Sequence, residues 1–325
     1  INGGAITPFE ADGQNDVAVA AGTYDVTEPP VAGYTTSYDN CVNVEIVNGE
    51  TETCTITNSF DTGTITVVKV VSDPGEVSEQ TPDDFQMIID GSNVNQNQEY
   101  VYSVGNHTVS EVSNLGDSVS FSGNCPGGVV NVTKDSNTTC TVTNTVPFAT
   151  LTVVKEMEDD DGGNNVASDF QLYVSGSPVN SGQSYNYAVG SYVVSETGVS
   201  GYEAVFSGAC DQDGNVSLNA DDNKTCTLTN DDIKPNITLI KSVTNNNGGT
   251  AGPFDFSMRI DGVLVPSGTS KLVTANAAHT ITEDAKSGYT FVSITGNPEC
   301  PAVLGGTATL NEGQAITCTI TNDDN

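Results

Sequence analysis

The chain has no tryptophan and little positive charge: nine lysines and arginines stand against 42 acidic side chains, a formal net charge of −33. That balance excludes a nucleic-acid-binding surface, because phosphate contacts need a basic patch. An anionic membrane surface is excluded on the same ground. The charge would keep an exposed filament soluble and hold divalent cations near it. No apolar run approaches the roughly 20 residues of a membrane-spanning helix. No signal peptide or sorting tail is visible, and the start, Ile1-Asn2-Gly3-Gly4, is expected to lie inside a longer chain. Aromatic residues make up only 6% of the chain, so each domain can bury only a small core, and small cores usually need covalent help. A Ser-His-Asp set, a Gly-rich phosphate loop and a metal-ligand cluster are all missing, which argues against an enzyme. The two histidines, His107 and His279, fall at a strand position held elsewhere by Tyr24 and Tyr192, and structural use is expected of them.

What the chain does have is repetition. Lys69, Lys155 and Lys241 recur at one even interval, and Asn58, Asn144, Asn230 and Asn322 keep nearly the same step. Glu28, Glu111, Glu196 and Glu283 return between them. Four units overlay, at 1–60, 61–146, 147–232 and 233–325. Short alternating runs of Thr, Val and Ile are separated by Gly/Asn/Asp/Pro clusters, the pattern of an all-β, tandem array of Ig-like β-sandwich domains. No amphipathic helix is expected. An opening strand reads TITVVK at 64–69, TLTVVK at 150–155 and ITLIK at 237–241. A middle strand ends at each Glu, and a closing strand reads CTITN, CTVTN, CTLTN and CTITN up to each Asn.

Strand side chains alternate between faces. Leu151, Val153 and Lys155 therefore share a face, as do Tyr192, Val194 and Glu196, and Cys226, Leu228 and Asn230. Lys, Glu and Asn all point to the apolar side, where a Lys and a Glu are costly unless paired or chemically used. The cysteines come two to a unit. Sequence alone leaves about a hundred pairings open for eight cysteines. Repeat symmetry favours Cys41–Cys54, Cys125–Cys140, Cys210–Cys226 and Cys300–Cys318, each loop worth about 3 kcal/mol in the chain-entropy model. Disulfides imply an oxidising, extracellular or cell-surface location.

These residues resemble the prealbumin-like or Cna B-type (SpaA-like) domains of microbial surface proteins and pilins. The likeness rests on a Lys ending the first strand, a Glu followed by Gly-Tyr, and an Asn ending the last strand. Gly33-Tyr34, Gly201-Tyr202 and Gly288-Tyr289 carry the dipeptide, and the second repeat departs with Gly116-Asp117. The resemblance implies internal isopeptide bonds: Lys69–Asn144 with Glu111, Lys155–Asn230 with Glu196, and Lys241–Asn322 with Glu283. Desolvation favours a neutral amine and a protonated carboxyl, so the amine attacks the amide and ammonia leaves, once, without turnover. The competing reading is that each Lys snorkels to the sandwich edge and each Asn caps a strand.

The first unit has Glu28 and Asn58 but no Lys, and no Lys or Arg precedes Lys69. Without an opening strand it should expose a sheet edge. Either upstream repeats supply that strand, the reading favoured here, or another subunit donates it with its Lys. Asp211-Gln212-Asp213-Gly214-Asn215 resembles the start of a calcium loop, with Asp211, Asp213 and Asn215 as ligands, but no downstream acid completes it. No other cofactor is expected. Sequons lie at Asn106, Asn131, Asn137, Asn215, Asn223 and Asn236. The expected role is a stalk or filament-forming subunit of a microbial surface fibre. Its partners would be copies of itself in a homo-polymer or further repeats of a longer chain. The alternative is a spacer in an adhesin whose binding domain lies elsewhere.

Overall fold

The computed structural model describes residues 1–112 and 116–325. The β-branched runs form strands, where branched side chains fit a pleated surface. The opening strands are Thr62–Ser72, Phe148–Glu158 and Asn236–Thr244. Each lies parallel to the closing strand of its own repeat: Asn137–Thr145, Asn223–Asp232 and Ala315–Asp324. Ser118–Gly123, Tyr202–Gly208 and Tyr289–Gly296 run antiparallel on the far side of the closing strand. Glu99–Ser103, Ser184–Ala188 and Ser270–Leu272 flank the opening strand and complete a four-stranded sheet.

A second four-stranded sheet in each of these repeats contains the middle strand, Gly105–Glu111, Gly190–Glu196 or Ala278–Glu283. Apolar side chains from the two sheets interleave. In the second repeat Ile65, Val67 and Val142 meet Met87, Ile89, Val109 and Val130. The architecture is all-β, built of repeated sandwiches, as the alternation implied. Among the described residues the helical pieces are 3-10 turns, including Pro82–Asp84, Ala167–Asp169 and Pro253–Asp255. No helix among them is long and apolar enough to cross a membrane.

The chain forms two compact units, Ile1–Pro147 and Phe148–Asn325. Within the first, residues 1–60 are built differently from the rest. They hold two two-stranded sheets, Gly22–Tyr24 with Val44–Ile46 and Tyr34–Asp39 with Thr55–Phe60. Cys41 and Val44 are buried there, while Ile6, Phe9 and Phe60 are exposed. Among the described residues Thr55–Phe60 pairs with one strand, Tyr34–Asp39.

Candidate functional site

Parallel pairing sets the geometry of the recurrent Lys and Asn. Lys69, Lys155 and Lys241 lie opposite Val142, Leu228 and Ile320. Each Asn is two residues further along the closing strand, hence on the same inward face and diagonal to the Lys. The middle strand of the facing sheet ends at the Glu. The three residues therefore converge where the two sheets close together, and burial is nearly complete: 4%, 6% and 4% exposure for the lysines, and 0%, 2% and 4% for Asn144, Asn230 and Asn322.

The contacts differ in detail. Lys241 Nζ lies 2.9 Å from Glu283 Oε2 and donates to Asn322 Oδ1 at 2.7 Å. Asn322 Nδ2 donates to Glu283 Oε1 at 2.7 Å, closing a three-residue ring. In the third repeat Lys155 Nζ is 3.3 Å from Glu196 Oε2, and Asn230 Nδ2 donates to Glu196 Oε1 at 2.7 Å. In the second, Lys69 Nζ is 2.8 Å from Glu111 Oε2, an ionic contact whose angles make no hydrogen bond. Both amide atoms of Asn144 are buried there without a hydrogen-bond partner. Burial pushes the Lys155 and Lys241 ammonium groups below the usual lysine range, and Glu196 and Glu283 pull them part of the way back.

Three aromatic rings complete the site, and the sequence reading passed over them. Lys69, Lys155 and Lys241 Nζ sit over Phe85, Phe170 and Phe256, at 4.3, 4.6 and 4.4 Å from the ring centroids. Each Phe follows a 3-10 turn pinned by the Asp before it. Asp84 accepts the Thr81 amide at 2.7 Å, Asp169 the Val166 amide at 2.9 Å, and Asp255 the Gly252 amide at 2.7 Å. The recurrent Asp-Phe pair was the available signal. The Gly-Tyr dipeptide gains a purpose too: Tyr202 and Tyr289 pack edge-on against Phe170 and Phe256. In the second repeat the Tyr position holds Asp117, whose carboxyl is raised by burial and by Glu111 but drawn down by Lys69.

The first repeat brings Glu28 and Asn58 together without a lysine. Thr36 Oγ1 stands 3.1 Å from Glu28 Oε1 and 2.7 Å from Asn58 Oδ1. Asn58 is exposed here, unlike its three counterparts.

The cysteines join as Cys41–Cys54, Cys125–Cys140, Cys210–Cys226 and Cys300–Cys318, with Cα separations of 4.7, 5.2, 5.2 and 5.7 Å. Each fastens the closing strand to the loop after its antiparallel neighbour. The histidines are structural. His107 Nδ1 lies 2.6 Å from Asp90, and His279 Nδ1 lies 2.7 Å from Asp261. Tyr192 fills the same strand position and donates to the Ala188 carbonyl.

In the calcium-like loop Asp211 accepts from the Asp213 and Asn215 amides and from the Asn215 side chain. The loop thus closes on itself, and a cation would have to displace those bonds. Asp160, Asp231 and Asp232 form a separate acidic group, but Asp232 already accepts the Asp161 and Gly163 amides. The sequons at Asn106, Asn131, Asn137, Asn215 and Asn223 are exposed and Asn236 is half-buried. Asn131 and Asn215 use their side-chain amides in hydrogen bonds, to Asn106 and Asp211.

A family model for the prealbumin-like fold domain matches residues 2–58, 147–228 and 232–320, well over half of the chain. The chain belongs to this family. The second repeat, where Asp117 replaces the Tyr, lies outside the matched segments. Among solved structures, the chain is similar to the Bacillus anthracis TIE protein, with 13% identity over 84% of this chain and 53% of that one, and a TM-score of 0.41. It is similar to the pilus adhesin SpaC of Lactobacillus rhamnosus GG, at 14% identity over 83% and 44%, TM-score 0.28. Two B repeat units of the Staphylococcus aureus collagen binding protein match at 14% identity over 91% and 81%, TM-score 0.19. The chain spans about half the length of the first two. No curated protein matches it.

Proposed function

We propose that this prealbumin-like chain is an extracellular structural protein, a stalk or filament-forming subunit of a microbial surface fibre. In this reading its repeats crosslink themselves through Lys69–Asn144, Lys155–Asn230 and Lys241–Asn322. The observation that carries it is the convergence, in three repeats, of a buried Lys and Asn on adjacent parallel strands with a Glu side chain from the facing sheet. The reaction balances without a cofactor. The Glu takes a proton from the ammonium, and the freed amine attacks Cγ of the Asn amide. The Glu then returns that proton to the departing nitrogen and takes the second proton from the attacking one, so it ends protonated. A new C–N bond replaces the old one, and ammonia leaves. Hydrogen bonding of Asn322 to both Lys241 and Glu283 is the arrangement this step needs.

The fibre reading follows from mechanics. Opening and closing strands bring the chain into and out of each sandwich, and they are neighbours. A bond between them routes tension through covalent links, and the disulfides staple the rest of the closing strand. Partners in this reading are copies of the same chain or further repeats.

Intact mass of the native protein, followed by peptide mapping, tests the chemistry. The expected deficit is one ammonia for each of the three repeats, beyond the hydrogens lost to four disulfides. A mass explained by the disulfides alone overturns it. Electron microscopy tests the assembly: polymers support the filament, whereas separate whiskers reassign the repeats to an adhesin spacer.

A further inference from the structure

In every repeat a side chain of the middle strand grips one backbone carbonyl, and the gripping residue alternates. Tyr24 and Tyr192 donate their hydroxyls to the Ala20 and Ala188 carbonyls, each at 2.8 Å. In the second and fourth repeats a histidine takes over. His107 Nε2 lies 2.8 Å from the Ser103 carbonyl, and His279 Nε2 lies 2.7 Å from that of Thr274. The other ring nitrogen faces Asp90 at 2.6 Å or Asp261 at 2.7 Å. The second oxygen of each Asp accepts a backbone amide, Thr108 or Thr280, at 2.8 Å. A carbonyl and an ionised carboxylate only accept, so both ring nitrogens must donate, and only the imidazolium can do so. Both rings are nearly buried, at 9% and 6% exposure, so little water reaches a bond that is lost.

The gripped carbonyl immediately precedes a joint. Ser103 pairs with Thr62 just before the opening-strand core, and Thr274 stands at the same place in the fourth repeat, two residues beyond Leu272, the partner of Asn236. The next amide in each case ties the repeat to the one before it. Val104 donates to the Asp61 carbonyl at 3.0 Å, and the Asp61 amide donates to the Gly33 carbonyl of the first repeat at 2.9 Å. Ala275 donates to the Asp161 carbonyl of the third repeat at 2.8 Å, and Asn276 Nδ2 donates to the Gly162 carbonyl at 3.0 Å.

We propose that His107 and His279 are proton-dependent latches on the joints within these two pairs of repeats: as the imidazolium each holds the strand end that meets the preceding repeat, and loss of its proton releases that end. A neutral imidazole has one N–H for two acceptors. Either the carbonyl then faces a lone pair, or the buried carboxylate does, and an unsatisfied buried acceptor is costly. The joints are therefore firm while the rings stay charged and loosen as pH rises through the imidazole titration. Other titratable groups around the rings are few. The Tyr102 ring lies 4.8 Å from that of His107, and burial holds its hydroxyl above the usual tyrosine range. Lys271, on the strand beside Asp261, donates to the Ile260 carbonyl at 2.8 Å. The strand opposite offers Val130 and Ala308. The latch needs no crosslink, and it differs from the tyrosine grip of the first and third repeats, which carries no charge to lose.

NMR of the full chain, followed from about pH 5 to about pH 10, reads ring protonation and amide exchange together. Protection of the Val104 and Ala275 amides, taken relative to the unfolded exchange rate at each pH, should fall about tenfold or more as the rings lose their protons. The Leu228 and Ile320 amides should keep theirs. The double variants His279→Tyr/Asp261→Ser and His107→Tyr/Asp90→Ser copy the third repeat, and each should keep its own joint amide protected across the range. Rings that hold their protons throughout overturn the latch, as do protons lost with no change at Val104 and Ala275. A fall that survives in the double variants belongs to another group and overturns it as well.

Discussion

At the scale of single residues, a lysine and a glutamate placed on apolar faces were the strongest clue in the sequence, because burial without pairing is so costly. The structure pairs them in all three repeats. Replacing one member should therefore hurt more than replacing both. Lys155→Met leaves Glu196 buried beside no cation, a loss of about 3–5 kcal/mol. The double variant Lys155→Met/Glu196→Gln, which also lacks any crosslink in that repeat, should regain a large part of it. Urea titration of the two variants side by side checks the order, and a single variant as stable as the double would mean that a lone Glu196 carries no burial penalty there. Phe170 offers a second comparison. Phe170→Ala should cost about 3–5 kcal/mol through the cavity it leaves. Phe170→Leu keeps the apolar cover over Lys155 but removes the ring face beneath its ammonium. Thermal denaturation should rank the two, with Leu the milder. Phe85, Phe170 and Phe256 were hard to single out from sequence because a Phe after a turn reads as ordinary core. Only its recurrence behind an Asp distinguished it.

At the scale of strands and turns, alternation revealed which face each strand buries, since a period of two is unambiguous once one face is apolar. It did not reveal that the first and last strands run parallel. Pairing direction depends on how the sheet is threaded, and the alternation of a half-buried strand is the same either way. Nor did it show the purpose of the histidines. His107 and His279 join the middle strand to the turn holding Asp90 and Asp261, and both Asp residues have left-handed backbone. Tyr192 and Ser175 take these two places in the third repeat. The Asp90 carboxyl is held below its usual range, first by the Thr108 amide and then by His107. A depressed folded pKa gives stability that is present above the unfolded value, near 3.9, and lost as pH falls through the folded value. The second repeat should thus lose stability on acidification below about pH 4. The double swap His107→Tyr/Asp90→Ser, which copies the third repeat, should flatten that acid limb. Stability against pH, followed by an environment-sensitive probe within the second repeat, measures it.

At the scale of the whole molecule, the repeat period made the tandem organisation legible, while the contacts that fix one repeat against the next were not. Apart from Gly201 of the Gly-Tyr dipeptide, they are made by residues outside the recurrent motifs. Within the unit Phe148–Asn325, the Ile233 amide donates to the Gly201 carbonyl at 2.9 Å, and the Gly313 amide donates to the Ile233 carbonyl at 2.6 Å. Glu312 Oε1 accepts from the Asn164 amide at 3.2 Å and from Asn276 Nδ2 at 2.7 Å. The run Asp159-Asp160-Asp161, just after the opening strand of the third repeat, takes part as well, with Asp161 paired to Lys234 and its carbonyl accepting the Ala275 amide at 2.8 Å. In the stalk proposed above, bending would be transmitted only as well as such joints resist it. Gly201 is, with Gly162, one of two glycines in this joint at which a Cβ would stand 2.5 Å from a carbonyl oxygen of the next repeat. Its φ is +89°, and a Cβ there would stand 2.5 Å from the Glu312 carbonyl oxygen. Both features argue that Gly201→Ala costs more than about 1 kcal/mol, and that the cost falls on the joint rather than on either core. Hydrogen exchange on the full chain separates the two. The Ile233, Ala275 and Gly313 amides should lose protection in the variant, while those of Leu228 and Ile320 keep theirs. If all five stay protected, the backbone yields at Gly201 without opening the joint, and the stiffness must come from the Asp161–Lys234 and Glu312 contacts instead.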